Sequence, residues 1–220
     1  MSLESQQHKI IIDGDDKAVV TVLLAHGAGA GMDHEFMTDM AEKLAAHGVR
    51  VVRFNFPYMV TRAQDGKKRP PDRAPKLLAD FEEKIITFHR EGQHLFLAGK
   101  SMGGRMASHL SEHPLVSGVM CLGFPFHPPG KPENSNPKSY KGEHLVNITK
   151  PMLILQGERD TFGTKKECQT FAFSDAISVD FIPDGDHSLK PRVRSGFTEQ
   201  GNRILAVSKM MAFIEQHIQN

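Results

Sequence analysis

Two short stretches of this chain carry residues whose types and spacing suit acyl-transfer chemistry. The first is Gly99-Lys100-Ser101-Met102-Gly103, a serine with glycine two residues before and two residues after it. It directly follows the apolar run His94–Ala98 and directly precedes a helix-like run. A serine on a tight strand-to-helix turn raises its hydroxyl above a sheet, and strand and helix then crowd the flanking positions until only a residue without a Cβ fits. Gly104 relaxes that crowding further. Gly-Lys-Ser also ends a phosphate-binding loop, Gly-x4-Gly-Lys-Ser/Thr. That pattern needs glycine at position 94, where the chain has His94, and a loop before the lysine, where it has a strand-like run.

A serine hydroxyl is a weak nucleophile until a base takes its proton, and a histidine base needs an acidic group to hold its tautomer. In an elbow-type site the acid and then the histidine follow the serine in the chain, each after a later strand. The run Met152–Gln156 leads into Gly157-Glu158-Arg159-Asp160-Thr161, and Ile177–Ile182 leads into Pro183-Asp184-Gly185-Asp186-His187-Ser188, the second stretch. The expected set is therefore Ser101, Asp160 and His187. Glu158 is a rival to Asp160, two residues earlier and pointing differently. Asp184 and Asp186 sit too close to His187 to orient its ring and are expected to shape the turn. His113, His127 and His144 do not fall in the last loop after a strand.

A tetrahedral intermediate needs backbone N–H donors. Met102, following the nucleophile at the start of a helix, is one candidate. The other comes from the loop His26-Gly27-Ala28-Gly29-Ala30-Gly31, with Ala28 first and Gly29 second; His26 is expected to anchor that loop. The loop also invites reading as a dinucleotide fingerprint, Gly-x-Gly-x-x-Gly. Its third glycine is misplaced, and the next strand ends Arg53-Phe54-Asn55 without a ribose-binding acid.

The elements that must position these residues follow from periodicity. Strands are expected at Lys9–Asp13 (an edge), Ala18–Ala25, Val49–Phe54, His94–Ala98, Val116–Gly123, Met152–Gln156 and Ile177–Ile182. Helices are expected at His34–His47, Ala74–Arg90, Met102–His113, a short piece near Lys165–Phe173, and Gly201–Gln219. Such alternation predicts an α/β fold, a mostly parallel central sheet flanked by helices, as a single domain over residues 1–220. Phe124–Asn147 reads as a loop over one end of the sheet, too short for a cap domain. Ligands of such sheets bind beyond the carboxyl ends of the strands, where Ser101 sits.

With 220 residues the chain can bury one sizeable core, and its formal net charge of +1 gives no electrostatic case for nucleic acid or a membrane surface. No apolar run approaches the ~20 residues a bilayer span requires, and Met1–Gln7 lacks a signal-peptide core. Cys121 and Cys168 are far apart and lack metal spacing, so neither metal nor cofactor is expected and a reducing, cytoplasmic compartment is the default. The expected partner is a small-molecule or acylated substrate; the sequence carries no sign of an oligomeric state. Two weaker clues bear on that substrate. The segment Arg62–Arg73, with Lys67, Lys68 and Arg69 at its centre, is expected on the active-site side, either as a solvated loop or to attract an anionic group. Phe126 and His127, with Phe54, Phe56, Tyr58 and Phe124, are candidates to wall an acyl pocket.

Taken together, His26–Ala30, Gly99–Arg105, Gln156–Asp160 and Gly185–Ser188 resemble the α/β-hydrolase superfamily, from about Val19 to the C-terminal helix. More narrowly they resemble a small, capless branch that includes testis-expressed hydrolase-like proteins and the hydrolase-like domain of a subunit of the non-specific-lethal acetyltransferase complex. The motifs are also similar to those of dienelactone hydrolases, which use cysteine where this chain has Ser101. The resemblance implies Ser101 as nucleophile, Asp160 as orienting acid and His187 as base, in a hydrolase acting on a carboxylic ester or thioester through an acyl-enzyme. Some relatives serve as scaffold subunits, so a non-catalytic scaffold or binding protein with a hydrolase-like fold is the alternative.

Overall fold

The computed structural model describes residues 10–130 and 139–218. Its seven strands are β1 (Ile10–Asp13), β2 (Val20–Ala25), β3 (Arg50–Phe54), β4 (His94–Lys100), β5 (Gly118–Leu122), β6 (Met152–Gly157) and β7 (Ile177–Ile182). Its helices are α1 (Glu35–Ala46), α2 (Pro57–Asp65), α3 (Ala74–Phe88), α4 (Met102–His109), α5 (Lys165–Cys168) and α6 (Glu199–Ile218). The strands form one sheet in the order β1-β3-β2-β4-β5-β6-β7. Only β1 runs antiparallel, pairing with β3 as an edge strand; the other pairs are parallel.

Strand alternation divides the core into two layers. Leu23, Ala25, Leu95, Leu97, Val119, Cys121 and Ile154 face α3 and α4, where Leu77, Phe81, Ile85 and Met106 meet them. Val22, Leu24, Phe96, Ala98, Met120, Leu122 and Leu155 face α1 and α6, where Phe36, Met40, Leu44, Val207 and Met210 meet them. Helices on both sides leave no wet face, which is why β2, β4 and β6 read as nearly unbroken apolar runs. From β2 the chain crosses to β3 on one side, while β4 pairs with β2 on the other, Ala25 opposite Gly99. The loops leaving β2 and β4 therefore diverge and open a crevice between them, the position where open α/β sheets bind ligands.

The expected elements are present, with ends shifted by a few residues. β4 runs two residues further, to Lys100; α4 stops at His109, and residues 110–112 continue as turns. The short helix expected to reach Phe173 ends at Cys168. Helix α2 was not expected. Of its nine residues only Tyr58 and Met59 are buried, so it has little apolar face to read. Its signal lies at its ends, Pro57 at the first position and Gly66 in a left-handed cap (φ 70°). The expected strand start at Lys9 and helix end at Gln219 lie outside the described residues, as does part of Phe124–Asn147. The described part of that segment ends in a 3-10 turn, Glu143–Asn147, with Leu145 buried.

Candidate active site

Ser101 occupies the turn between β4 and α4 with φ 52° and ψ −115°, in the positive-φ half of backbone space that residues bearing a Cβ rarely enter. Close packing of the strand, the turn and the helix holds it there. A Cβ on Gly99 would collide with the backbone of Gly103 and Gly104, and a Cβ on Gly103 would lie 2.5 Å from Ala25 O and 2.6 Å from His26 O. These neighbours are main-chain atoms of β2 and its following loop and cannot step aside. Gly103→Ala is therefore expected to destabilise the fold by about 3 kcal/mol, a fall in Tm on the order of 10 °C in a thermal melt. A variant that melts with the wild type would sink this account of the elbow.

His187 Nε2 lies 2.8 Å from Ser101 Oγ, and His187 Nδ1 lies 2.8 Å from Asp160 Oδ2. Asp160 is fully buried. Its Oδ2 also accepts from Gln156 Nε2 at 2.9 Å, and its Oδ1 accepts from the Phe162 amide at 2.8 Å. Three donors thus surround one carboxylate. The carboxylate keeps the proton on Nδ1 and leaves Nε2 free to accept from the serine. The Phe162 ring stacks on the imidazole, with centroids 4.1 Å apart, and covers its face. The arrangement can move a proton from a hydroxyl to an imidazole and stabilise the cation that results.

The facing wall is the loop after β2. His26 is buried; its Nδ1 donates to Gly27 O at 2.6 Å and its Nε2 accepts from the Phe56 amide at 3.1 Å. Burial pushes its pKa down to about 4, so the ring is a neutral brace. Tyr58 and Arg62 of α2 support the same loop, donating to Ala28 O at 3.0 Å and to Gly29 O at 3.0 Å. With its carbonyls held from behind, the loop keeps its amides available: among the described residues neither Ala28 N–H nor Met102 N–H is given to another backbone or side-chain acceptor. A cavity of about 340 Å³ lies between the two walls, lined by Gly27–Ala30, His34, Phe36, Met37, Lys100, Ser101, Phe162, His187 and Ser188.

Residues 18–215 match the family model described as alpha/beta hydrolase domain. The chain belongs to the α/β-hydrolase family. It is similar in structure to a serine hydrolase homologue from Coxiella burnetii (TM-score 0.67, 18% identity, 91% of this chain and 90% of that one covered). It is also similar to an esterase from Pyrococcus furiosus (TM-score 0.68, 17% identity, 99% and 94% covered). A third likeness is a Xanthomonas campestris protein described as an α/β serine hydrolase without lid (TM-score 0.63, 18% identity, 91% and 88% covered). At these identities the likeness speaks for the fold.

Within this α/β-hydrolase, the structure brings Ser101, Asp160, His187, Ala28, Gly29 and Met102 to one crevice. The expectation that Phe126 and His127 wall an acyl pocket is corrected: neither lines the cavity. Phe126 is drawn into a buried cluster of rings with Phe124, Tyr140, Phe171 and Phe173. His127 is buried, its Nδ1 bonded to Pro128 O and its Nε2 facing the Glu167 carboxylate at 3.3 Å. The rivals also lie elsewhere. Glu158 pairs with Lys165 and accepts from the Asp184 amide, and Asp184 pairs with Arg159 and Arg192. His144 stacks on His109 and bonds Ser108, while His113 caps its own turn. The basic segment begins inside α2 rather than in a loop; Arg69 pairs with Asp65, and Arg62 braces Gly29.

Sequence reasoning missed Gln156, Phe162, Phe36, Met37 and His34. Gln156 had a signal, as the only polar residue before the terminal glycine of an apolar strand. Phe36 and Met37 are indistinguishable from core positions in the sequence, because on α1 they serve the core and the cavity wall at once.

No helix among the described residues is long and apolar enough to cross a membrane.

Proposed function

We propose that this protein is a serine hydrolase that cleaves a carboxylic ester or thioester through an acyl-enzyme on Ser101. The reading is carried by one observation: the unbroken hydrogen-bonded chain Ser101–His187–Asp160 at the wall of an open cavity. Ser101 Oγ attacks the carbonyl carbon as His187 Nε2 takes its proton. The Met102 and Ala28 amides receive the oxyanion, each worth about 3–4 kcal/mol of transition-state stabilisation. His187 then returns the proton to the departing oxygen or sulfur. In the second half it takes a proton from water, which attacks the acyl carbon, and returns that proton to Ser101 Oγ as the ester bond breaks and the acid leaves. Family membership and the resemblance to proteins described as an esterase and as a lidless serine hydrolase support the same reading. The cavity, about 340 Å³ and walled by Phe36, Met37 and Phe162, suits a small acyl group.

The test is a fluorophosphonate probe read by intact mass. An activated serine displaces fluoride and gains one phosphonyl group. One adduct is expected, mapping to Ser101 and absent in Ser101→Ala, followed by turnover in a panel of short-chain p-nitrophenyl esters and acyl thioesters. Folded wild-type protein that gains no adduct overturns the proposal and leaves the non-catalytic scaffold reading in its place.

A further inference from the structure

One charged group beside this site has no part in the mechanism above. Lys100 directly precedes Ser101 and lines the same cavity, yet its residue is only 9% exposed. Its side chain leaves β4 on the face of Phe96 and Ala98, between the sheet and α1, with the ammonium over the Phe36 ring at 5.8 Å. Its Nζ donates to the backbone O of His187 at 2.5 Å. A methyl group placed on Gly123 would lie 3.3 Å from both Lys100 Nζ and His187 Nδ1, so a single carbon would bridge the space between ammonium and imidazole.

No carboxylate pairs with this ammonium among the described residues. The acidic groups facing it are Asp160 and Asp186, and both are committed elsewhere. Asp160 accepts from His187, Gln156 and Phe162, while Asp186 accepts from the Ser188 and Lys190 amides. From α6, Arg203 brings a second cation to the Phe36 ring at 5.6 Å, itself paired with Glu35, Asp39 and Glu199. Burying a cation without a partner is expensive, and an apolar residue of similar shape in its place is often neutral or stabilising. A position that needs only packing has no use for such a group.

We propose that Lys100 is a positioning residue for the Ser101–His187 pair: its ammonium ties down the backbone of His187 and places a fixed positive charge behind the nucleophile. The charge favours the negative charge that develops on the carbonyl oxygen during attack, and burial of the lysine limits its screening by water. The tie holds the histidine in register with Ser101 although the two lie on different strand-end loops, after β4 and after β7. The inference rests on the reading of Ser101 as a nucleophile. Burial supports it further by lowering the Lys100 pKa to about 8, so the charge is lost within an accessible pH range. The sign for stability is the reverse of an ordinary ion pair. The folded state binds this proton less tightly than the unfolded chain, so the ammonium costs stability at pH 7, and the cost is relieved above about pH 8.

The test is the rate of fluorophosphonate labelling of Ser101 from pH 5 to 10, with thermal melts, for wild type, Lys100→Met and Lys100→Arg. The wild-type rate is expected to fall several-fold above about pH 8 as Lys100 loses its proton. Lys100→Met is expected to label about tenfold more slowly at pH 7, without the alkaline fall, while its Tm holds or rises by about 2–6 °C. Lys100→Arg keeps a cation at high pH and should retain its rate there. A Lys100→Met protein that labels at the wild-type rate overturns the proposal, as does one that loses rate and Tm together but keeps the alkaline fall. If Lys100→Met does not fold, the wild-type profile decides, and a rate that stays flat from pH 7 to 10 overturns it. Absence of any wild-type adduct fails at an earlier point, at Ser101 itself, and removes the ground for a role of Lys100.

Discussion

Ser101→Ala is expected to leave the protein folded and lower turnover of a short-chain p-nitrophenyl ester by about 10⁶-fold. The substitution removes one oxygen from a half-buried side chain and keeps a Cβ in the same strained turn, so Tm should move by no more than a few degrees. What is lost is the covalent route. His187→Ala should cost about as much, because a serine with no acceptor at 2.8 Å keeps its proton. The Ser101→Ala, His187→Ala double variant should then be no slower than either single one, since the two side chains act as one unit. On the proposed mechanism the residual rate should come from the Ala28 and Met102 amides and from binding, on the order of 10³-fold above water. Burst kinetics on wild type and steady-state kcat on the three variants check this. A Ser101→Ala protein that keeps more than about one per cent of wild-type turnover would remove Ser101 from the chemistry, and additive losses in the double variant would remove the coupling.

Asp160→Asn is expected to lower kcat by about 10⁴-fold with KM little changed. Every group around Asp160 is a donor: His187 Nδ1, Gln156 Nε2 and the Phe162 amide. An amide must turn its NH₂ toward one of them. Turned toward His187, it donates to Nδ1 and forces the ring proton onto Nε2, where it faces Ser101 Oγ and blocks general-base action. Turned the other way, it sets a donor against the Phe162 amide. In the first orientation the NH₂ also faces Gln156 Nε2, and Gln156 cannot relieve that clash by flipping, because its Oε1 accepts from the Phe124 amide while Nε2 donates to Phe124 O and Gly163 O. The unmatched donor should also lower stability by about 1–3 kcal/mol. Steady-state kinetics with a urea titration test both halves. Unchanged kcat would mean that His187 is oriented by something other than Asp160.

Much of this molecule was legible in the amino-acid order. Apolar runs broken by glycine and by helix-period stretches led to seven strands and to all but one of the helices, since burial on both faces of a parallel sheet leaves a pattern local in sequence. The exception, α2, has little apolar face to read, although Pro57 and Gly66 mark its ends. The residues at the crevice were legible for a related reason. Ser101 directly follows β4, and Asp160 and His187 lie in the loops that follow β6 and β7; strand ends can be located without knowing what packs against them. The glycines around Ser101 were informative because the contacts that exclude a Cβ are set by the turn itself and by the neighbouring strand.

The sequence could not decide which side chains converge where strand ends meet. Phe126 and His127 follow a strand end, as the site residues do, yet a cluster of aromatic rings holds Phe126, and Pro128 O and the Glu167 carboxylate hold His127, away from the cavity. Phe162 covers the imidazole and Asp160 bonds it, and both relations join loops that meet only when β6 and β7 lie side by side, while Gln156 grips the carboxylate from four residues away. The environment of Lys100 is likewise nonlocal. In the sequence it is a lysine in a phosphate-loop-like tripeptide; in the fold its ammonium lies under Phe36, against the His187 carbonyl, with no carboxylate paired to it. Periodicity and turn chemistry are short-range and survive in the order of residues, so the sequence by itself determined the sheet, its helices and the strand ends that bear the site. Burial, desolvation and the hydrogen bonds that fix a tautomer arise between segments tens of residues apart, and only the tertiary structure decided those.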